Sequence, residues 1–330
     1  MNKKQLGLIL VLLVALVSAF IAAMAFGAAK IPLADLRAFL LQAYENENTL
    51  ILEEIRFPRV VAAGLVGMAL AVSGAYMQGM TRNPLASPSL FGITAGASAA
   101  LSFSLALSHN LSYFGVLVAC LLGSVVSGLI VFLISFSGRH GLSNNKTILA
   151  GAAVSTLLYA VSDALALHFT TSKQMTMWAS SGLIGVTLKE IYMVLPILVV
   201  GLGLALAYSK KLTLVSLNEE LAISLGENVK VLRIAFFFLV TFLTGAAIAL
   251  SGSIVFVGLV VPHFVRRLVG GDYKHIIPVS MITGAAFLML ADLASRLVNA
   301  PYETPITAVL AVCSYPVFLF VVRKGGGSLG

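Results

Sequence analysis

Ionisable side chains inside apolar stretches are the residues of this sequence most able to support chemistry. Asp163 and His168 lie in one apolar run, and His263 follows Pro262 in another. Ionisable groups at membrane depth are functional candidates, and a proton relay is one chemistry that they could support. The alternative is structural, with each group making a single hydrogen bond.

The motifs for metal binding, disulfides and nucleotide hydrolysis are missing from the sequence. Cys120 and Cys313 both lie inside apolar runs, and their positions indicate neither a disulfide framework nor a metal site. The chain has no Gly-x-x-x-x-Gly-Lys-Ser/Thr loop to cradle the phosphates of ATP. We therefore predict no catalytic residues, no cofactor and no metal ligands, and expect a protein that is not an enzyme.

Composition places the chain in a membrane. Of its 330 residues, 59% are hydrophobic and 10% are charged, whereas a soluble domain carries roughly 25% charged residues. Mean hydropathy is +1.01. The net charge of +8 does not indicate nucleic-acid binding, because membrane proteins keep Lys and Arg on their cytoplasmic loops.

Ten apolar runs approach the roughly 20 residues that a bilayer requires. They lie near residues 5–27, 60–80, 91–108, 114–136, 147–169, 189–208, 234–253, 256–270, 277–297 and 305–322. The first could be read as a cleaved signal peptide, but its apolar run is long enough to span. An inside N-terminus puts 14 of the 21 Lys and Arg residues on the cytoplasmic side, so we expect both termini there.

An internal repeat accompanies these spans. "GMALAVSG" (Gly67 to Gly74) in the second span matches "GAAIALSG" (Gly245 to Gly252) in the seventh at five of its positions. Spans separated by an odd number run in opposite directions, which is the pattern of inverted repeats in transporters. Chance similarity between helices rich in small residues is the alternative.

A short polar stretch between spans six and seven, "SLNEELAISLG", predicts a small capped helix. Ser216 and Glu219 have capping-box spacing, and Gly226 stands where a helix would end. Its acidic Glu219 and Glu220 disfavour anionic lipid, so its apolar face indicates a protein partner. The apolar face comprises Leu217, Leu221 and Leu225.

Three arginines lie on the predicted outer side. Arg56 and Arg59 precede the second span, and Arg296 ends the ninth, four residues after Asp292. They could be interfacial anchors whose aliphatic stems lie in the bilayer. They could instead form a positive rim that binds carboxylates, with Asp292 orienting Arg296.

Several long motifs resemble the permease subunit of iron–siderophore and cobalamin ABC importers. They are "IRFPRVVAAGLVGMALAVSGAYMQGMTRNPLASPSLFGITAGAS", "LVSLNEELAISLG", "FVGLVVPHFVRRLVGGDYKHIIP" and "LADLASRL" followed by "ETP". The resemblance runs from about Ile55 to Lys324. It implies an all-α, ten-span permease that forms dimers and works with two cytoplasmic ATPases and an extracytoplasmic binding protein.

The resemblance also assigns roles to residues. It places the ATPase coupling segment at residues 216–226, within a loop at about 209–233, and binding-protein docking at Arg56, Arg59 and Arg296. The sequence itself, rather than the resemblance, makes "RNPLASPSLFG" a structural turn or a mobile element of the pathway, because its two prolines interrupt a helix.

Two further groups gain roles in the same way. Asn144 and Asn145 would form a cytoplasmic gate, although they could simply cap a helix. Met175, Met177 and Trp178 would border the mouth of the pathway or pack at the bilayer interface.

The last span departs from the family pattern. Thr307 and Ser314, followed by Tyr315, stand where the family usually has glycines and close helix approach. This favours a second, different permease as partner over a homodimer.

We therefore expect residues 1–330 to form one transmembrane permease domain that imports an iron–siderophore chelate into a bacterial cell. Haem or cobalamin is the alternative cargo. An ion-coupled secondary transporter that uses Asp163 is the rival mechanism.

Overall fold

A computed structural model describes residues 3–108, 111–136 and 144–325, with side chains for 7–108, 111–135 and 147–316. The regular secondary structure of these described residues is helical, with no β-strand among them, which confirms the all-α prediction. The helices are α1 Lys3–Ala25, α2 Leu33–Leu41, α3 Glu47–Leu50, α4 Phe57–Thr81, α5 Ile93–Leu107, α6 Tyr113–Phe136, α7 Asn144–His168, α8 Ser172–Ser181, α9 Leu188–Leu217, α10 Glu219–Ser224, α11 Val229–Ser251, α12 Val257–Val269, α13 Tyr273–Leu297 and α14 Ile306–Gly325.

Seven described stretches of helix are long and apolar enough to cross a membrane. They are α1, the continuous stretch from α3 to α4, α6, α7, α9, α11 and α13. The other three predicted spans coincide with α5, α12 and α14, of which α5 has 15 residues and α12 has 13. The total of ten spans therefore stays a prediction.

Helix α4 is the centre of the molecule, and nearly all of its residues are buried. It packs on α13, α11, α12 and α9. A Cβ atom at Gly67 would overlap the Gly284 carbonyl of α13, and one at Gly74 would overlap Gly258 of α12. Small residues let helix backbones approach this closely where no hydrophobic effect drives association in lipid.

The two copies of the sequence repeat occupy related positions. Gly67 of α4 packs on α13, and Gly245 of α11 packs on Ser124 of α6. The two repeat helices also contact one another. Each repeat helix thus uses the first glycine of its motif to pack against another long helix, which fits the predicted repeat. The opposite direction of the two copies remains a prediction.

The chain changes direction between α4 and α5 in the segment "RNPLASPSLFG". Arg82 has a positive φ of 51°, and a single 3₁₀ turn covers Pro88–Phe91 before Gly92 at φ 72°. A Cβ at Gly151 of α7 would overlap the Leu90 carbonyl. The segment thus forms a turn that packs against the first half of α7, and its mobility in a transport cycle stays a prediction.

Candidate functional site

The predicted docking arginines and the predicted coupling segment lie at opposite ends of α4. Arg59 lies near its beginning and Arg82 directly follows its end, about 35 Å apart at 1.5 Å per residue. The end near Arg59 is called the arginine end here, and the end near Arg82 is called the α10 end.

The arginine end holds a buried ion cluster. Arg59 Nε donates to Asp292 Oδ1 at 2.8 Å, and Arg296 Nε lies 3.1 Å from Asp292 Oδ2 as an ion pair without hydrogen-bonding alignment. Arg59 Nη1 also donates to both carboxylate oxygens of Glu303, at 2.9 and 2.8 Å. Asp292 is 1% exposed and pairs with two buried guanidiniums where water cannot, and together with Glu303 it balances their two positive charges.

Arg56 and Arg296 serve a second purpose, because they cap the end of α1. Arg56 Nη1 donates to the Met24 and Ala25 carbonyls at 2.8 and 3.2 Å, and Arg296 Nη2 donates to the Ala23 carbonyl at 3.1 Å. The last carbonyls of a helix lack partners within it, and a positive charge complements the helix dipole there. The first helix is thereby fixed to α4 and α13.

The three arginines predicted to form a docking rim are buried in this chain, and their docking role stays a prediction. Arg56, Arg59 and Arg296 are only 4%, 5% and 3% exposed. Their partners lie within the chain, and α1 covers two of them, which sequence spacing could not reveal. Sequence reasoning also missed Glu303, whose only signal was its place in the motif "ETP"; its side chain is 29% exposed.

At the α10 end, the residues predicted to form one capped helix from Ser216 are split between the end of α9 and the short helix α10. Ser216 is not a cap: helix α9 continues to Leu217, and the Ser216 hydroxyl donates to the Thr213 carbonyl at 2.7 Å. Asn218 caps α10 instead, accepting from the Glu220 backbone N–H at 2.9 Å. Gly226 ends the segment at φ 83°, as predicted.

Glu219 pairs with a neighbouring helix rather than completing a capping box. Its carboxylate accepts from Arg233 Nη2 of α11 at 2.8 Å, and Lys211 Nζ lies 3.0 Å from Glu227 Oε2. Glu220 is exposed. These two ion pairs hold the segment to the helices on either side of it.

The apolar side chains of residues 216–226, called the coupling segment here, face outward. Only Ala222 is fully buried against the protein. Four large apolar side chains gather on its surface, a grouping that marks interaction sites in proteins. They are Leu217 at 66% exposure, Leu221 at 45%, Ile223 at 58% and Leu225 at 61%.

Neighbouring loops anchor the same end. The Thr213 hydroxyl donates to Asp272 Oδ1 at 2.8 Å and accepts from the Tyr273 N–H at 2.9 Å, which joins α9 to the start of α13. Partial burial alone would raise the pKa of Asp272, but the hydrogen bonds from the Lys274 N–H and Thr213 outweigh it and lower that pKa. Arg82 completes this set by donating to the Val215 carbonyl through Nε at 3.2 Å and Nη2 at 2.9 Å.

The predicted gate and mouth residues lie on two consecutive helices. Asn144 and Asn145 begin α7, but their side chains lie outside those described. Met175 of α8 is buried, Met177 is 60% exposed and Trp178 is half-buried. A Cβ at Gly252 would overlap the Trp178 carbonyl, so α8 rests on the end of α11.

The remaining ionisable candidates form no constellation. Asp163 and His168 are exposed on α7 and lie outside the two clusters above, and His263 is half-buried in α12. Within the described residues, no group of three His, Cys, Asp or Glu side chains could hold a metal ion.

Helix α14 brings one correction to the partner hypothesis. Ser314 is 1% exposed and points into its own chain, whereas Tyr315 is 59% exposed and Thr307 is half-buried. Ser314 therefore cannot set the spacing to a partner helix in this arrangement.

Comparison with known proteins identifies what this chain is similar to. The sequence pattern of the FecCD transport family matches residues 12–324. The iron(3+)-hydroxamate import system permease protein FhuB of Bacillus subtilis is 40% identical, over 83% of this chain and 71% of that protein. The iron-uptake system permease protein FeuB of the same organism is 39% identical, over 86% and 84%.

A solved structure shares the fold. A metal-chelate type ABC transporter in an inward-facing conformation superposes with a TM-score of 0.80 at 27% identity, covering 98% of this chain and 99% of that one.

Proposed function

The chain belongs to the FecCD transport family, and from that membership we propose that it carries a ferric chelate across the cytoplasmic membrane in an ATP-driven importer. It is a multi-pass membrane protein and a transport permease subunit rather than an enzyme. The observation that carries the ATP-driven mechanism is the coupling segment, an exposed apolar surface anchored by ion pairs to two membrane helices.

A separate ATPase subunit is the partner that fits this surface. Its docking would bury Leu217, Leu221, Ile223 and Leu225, which water otherwise contacts. The coupling segment would then lie in the cytoplasm, with both termini on that side, as the distribution of Lys and Arg predicts. The arginine end would face the extracytoplasmic space.

The cargo that we propose is an iron–siderophore chelate. The support is the similarity to an iron(3+)-hydroxamate permease. Haem or cobalamin remains the alternative cargo. An ion-coupled secondary transporter based on Asp163 would have no use for an exposed coupling segment, which favours the ATP-driven machine.

We further propose residues 1–330 as one permease domain whose pathway borders α7 and α8. Asn144 and Asn145 at the start of α7 would form the cytoplasmic gate, because polar constrictions control permeation. Met175, Met177 and Trp178 would border the outer mouth, with Met177 providing exposed, adaptable apolar surface.

The function is tested by reconstituting purified complex in proteoliposomes with the ferric complex of a trihydroxamate, delivered by its binding protein. We expect iron uptake that requires ATP and persists when ion gradients are collapsed. Uptake that follows an ion gradient and is abolished by Asp163→Asn would establish the rival secondary transporter. Uptake of haem or cobalamin in place of the ferric chelate would replace the proposed cargo.

A heterodimer with a second permease is the assembly that we propose. Its support is Tyr315, exposed on α14 where the family pattern has small residues, together with the half-buried Thr307. Expressed with the ATPase alone, the chain should give little stable complex, and co-expression with the second permease should restore it. An active homodimer purified with the ATPase would contradict this proposal.

We propose that the binding protein docks at the arginine end through Arg59. Because Arg59 is buried against Asp292, an incoming carboxylate could reach it only by replacing Glu303, the more exposed of its two partners. Arginine holds carboxylates with two parallel hydrogen bonds, so such an exchange would also fix orientation. Arg56 and Arg296 would stabilise the docking surface indirectly, through their contacts with the end of α1.

Glu303→Ala should tighten association with the loaded binding protein, because it removes a competing carboxylate. We expect a gain of about two- to fivefold in affinity, the range of a partly exposed ion pair, and weaker association at high salt. Glu54→Ala removes an exposed charge of the same sign near the same end and should change affinity little. Equal affinities for wild type and Glu303→Ala would rule out docking through Arg59.

A further inference from the structure

Arg82 occupies the junction between two functional segments, although no motif argument singled out its side chain. It ends α4, with its backbone N–H bonded to the Gln78 carbonyl and its φ at 51°. Residues other than glycine rarely adopt a left-handed conformation. The chain is therefore turned at this residue so that the side chain leaves α4 towards α9.

The Arg82 guanidinium binds the end of α9 through one backbone carbonyl, that of Val215. Val215 is among the last residues of that helix, so its carbonyl has no partner one turn further along. Two N–H groups of Arg82 converge on it, at 3.2 and 2.9 Å. A rigid, planar donor fork fixes both the position and the direction of this contact, which a lysine cannot reproduce.

On one side of this contact lies the coupling segment. Leu217 is the last residue of α9, and α10 begins at Glu219 after the Asn218 cap. The coupling segment therefore begins within two residues of the carbonyl that Arg82 holds.

On the other side lies the turn that supports α7. Arg82 is followed by Asn83, whose side chain accepts from the Leu85 N–H at 2.9 Å and orders the turn. The turn then reaches Leu90, whose backbone fits against Gly151 of α7 with no room for a Cβ atom. Gly151 lies two turns of helix after the start of α7, where the gate residues are proposed.

We propose that Arg82 is a positioning residue that transmits displacement of the coupling segment to the 83–92 turn and so to α7. Coupling between sites requires physically contiguous contacts with defined geometry. The path from α10 through Val215, Arg82 and Leu90 to Gly151 supplies such contacts. Arg82 itself is exposed at the protein surface, so its removal leaves no buried charge and the helices should keep their packing.

The inference rests on the proposed ATP-driven function, and its test separates the two. In proteoliposomes containing the complete transporter, we would measure ATP hydrolysis and uptake of the ferric complex of a trihydroxamate for wild type, Arg82→Gln and Arg82→Lys. Lys210→Gln is the control, since Lys210 is an exposed cation of α9 that belongs to none of the contacts above.

For Arg82→Gln we expect ATP hydrolysis close to wild type and at least about a fivefold loss of iron transported per ATP, the lower range of measured coupling between sites. The iron transported per ATP by Arg82→Lys should lie between the values for wild type and Arg82→Gln. The value for Lys210→Gln should match wild type. An unchanged ratio of transport to hydrolysis in Arg82→Gln, whether both activities persist or fall in parallel, would overturn the inference. Wild-type protein without ATP-dependent uptake would instead refute the proposed function.

Discussion

Replacing Leu221 with aspartate will abolish ATP-driven transport and the stimulation of the ATPase, while the membrane helices remain folded. Leu221 is 45% exposed in the free chain, so a charge there costs little before assembly. In the complex that we propose, the same carboxylate would be buried in an apolar contact without a partner. Truncating a hot-spot residue at the centre of an interface costs about 2 kcal/mol or more, and a buried charge adds to this loss.

Leu221→Met provides the matched control, because it keeps the size and apolar character of the side chain. We expect it to retain most of the wild-type rate. Circular dichroism and the elution volume in detergent would show that both variants are folded. Full transport by Leu221→Asp would mean that the ATPase docks elsewhere, and the coupling segment would lose its proposed role.

Replacing Asp292 with alanine will destabilise the chain more than any other single carboxylate change. Its side chain lies 2.8 Å from Arg59 Nε and 3.1 Å from Arg296 Nε and is 1% exposed. Removal of one partner from a buried ion pair costs about 3–5 kcal/mol because the remaining charge is left uncompensated. Here Arg296 would lose its ion-pair partner, Arg59 would keep only Glu303, and the two guanidiniums would repel each other.

The thermal midpoint of the detergent-purified protein measures this effect. Asp292→Asn keeps the shape of the side chain and one acceptor, so it should fall between alanine and wild type. Asp163→Ala changes the same residue type at an exposed position of α7 and should leave the midpoint near wild type. An Asp292→Ala protein as stable as wild type would show that the cluster contributes nothing to folding.

The burial of this cluster also changes how docking should be studied. A charge reversal at Arg59 would place a carboxylate against Asp292 and Glu303, so lost binding could not be separated from lost folding. Glu303 avoids that difficulty because its side chain is partly exposed.

Local sequence features correctly indicated the helices and several of their ends. Apolar runs predicted where helices form, because a helix in lipid must satisfy its backbone internally and present apolar side chains outward. Gly226 ended the coupling segment because a left-handed residue there needs no Cβ. The Ser216 cap was wrong because its hydroxyl bonds the preceding turn and lets α9 continue to the equally capable cap Asn218.

The sequence alone therefore determined the membrane class, the helical fold and the family, since these depend on composition, periodicity and contiguous motifs. Only the tertiary structure decided which charges meet. Arg59 and Glu303 are 244 positions apart, and Arg82 and Val215 are 133 apart. Periodicity reports which face of a helix is apolar, but not which neighbour covers it. Three arginines that looked like a surface rim are thus buried by α1, α13 and the Glu303 loop.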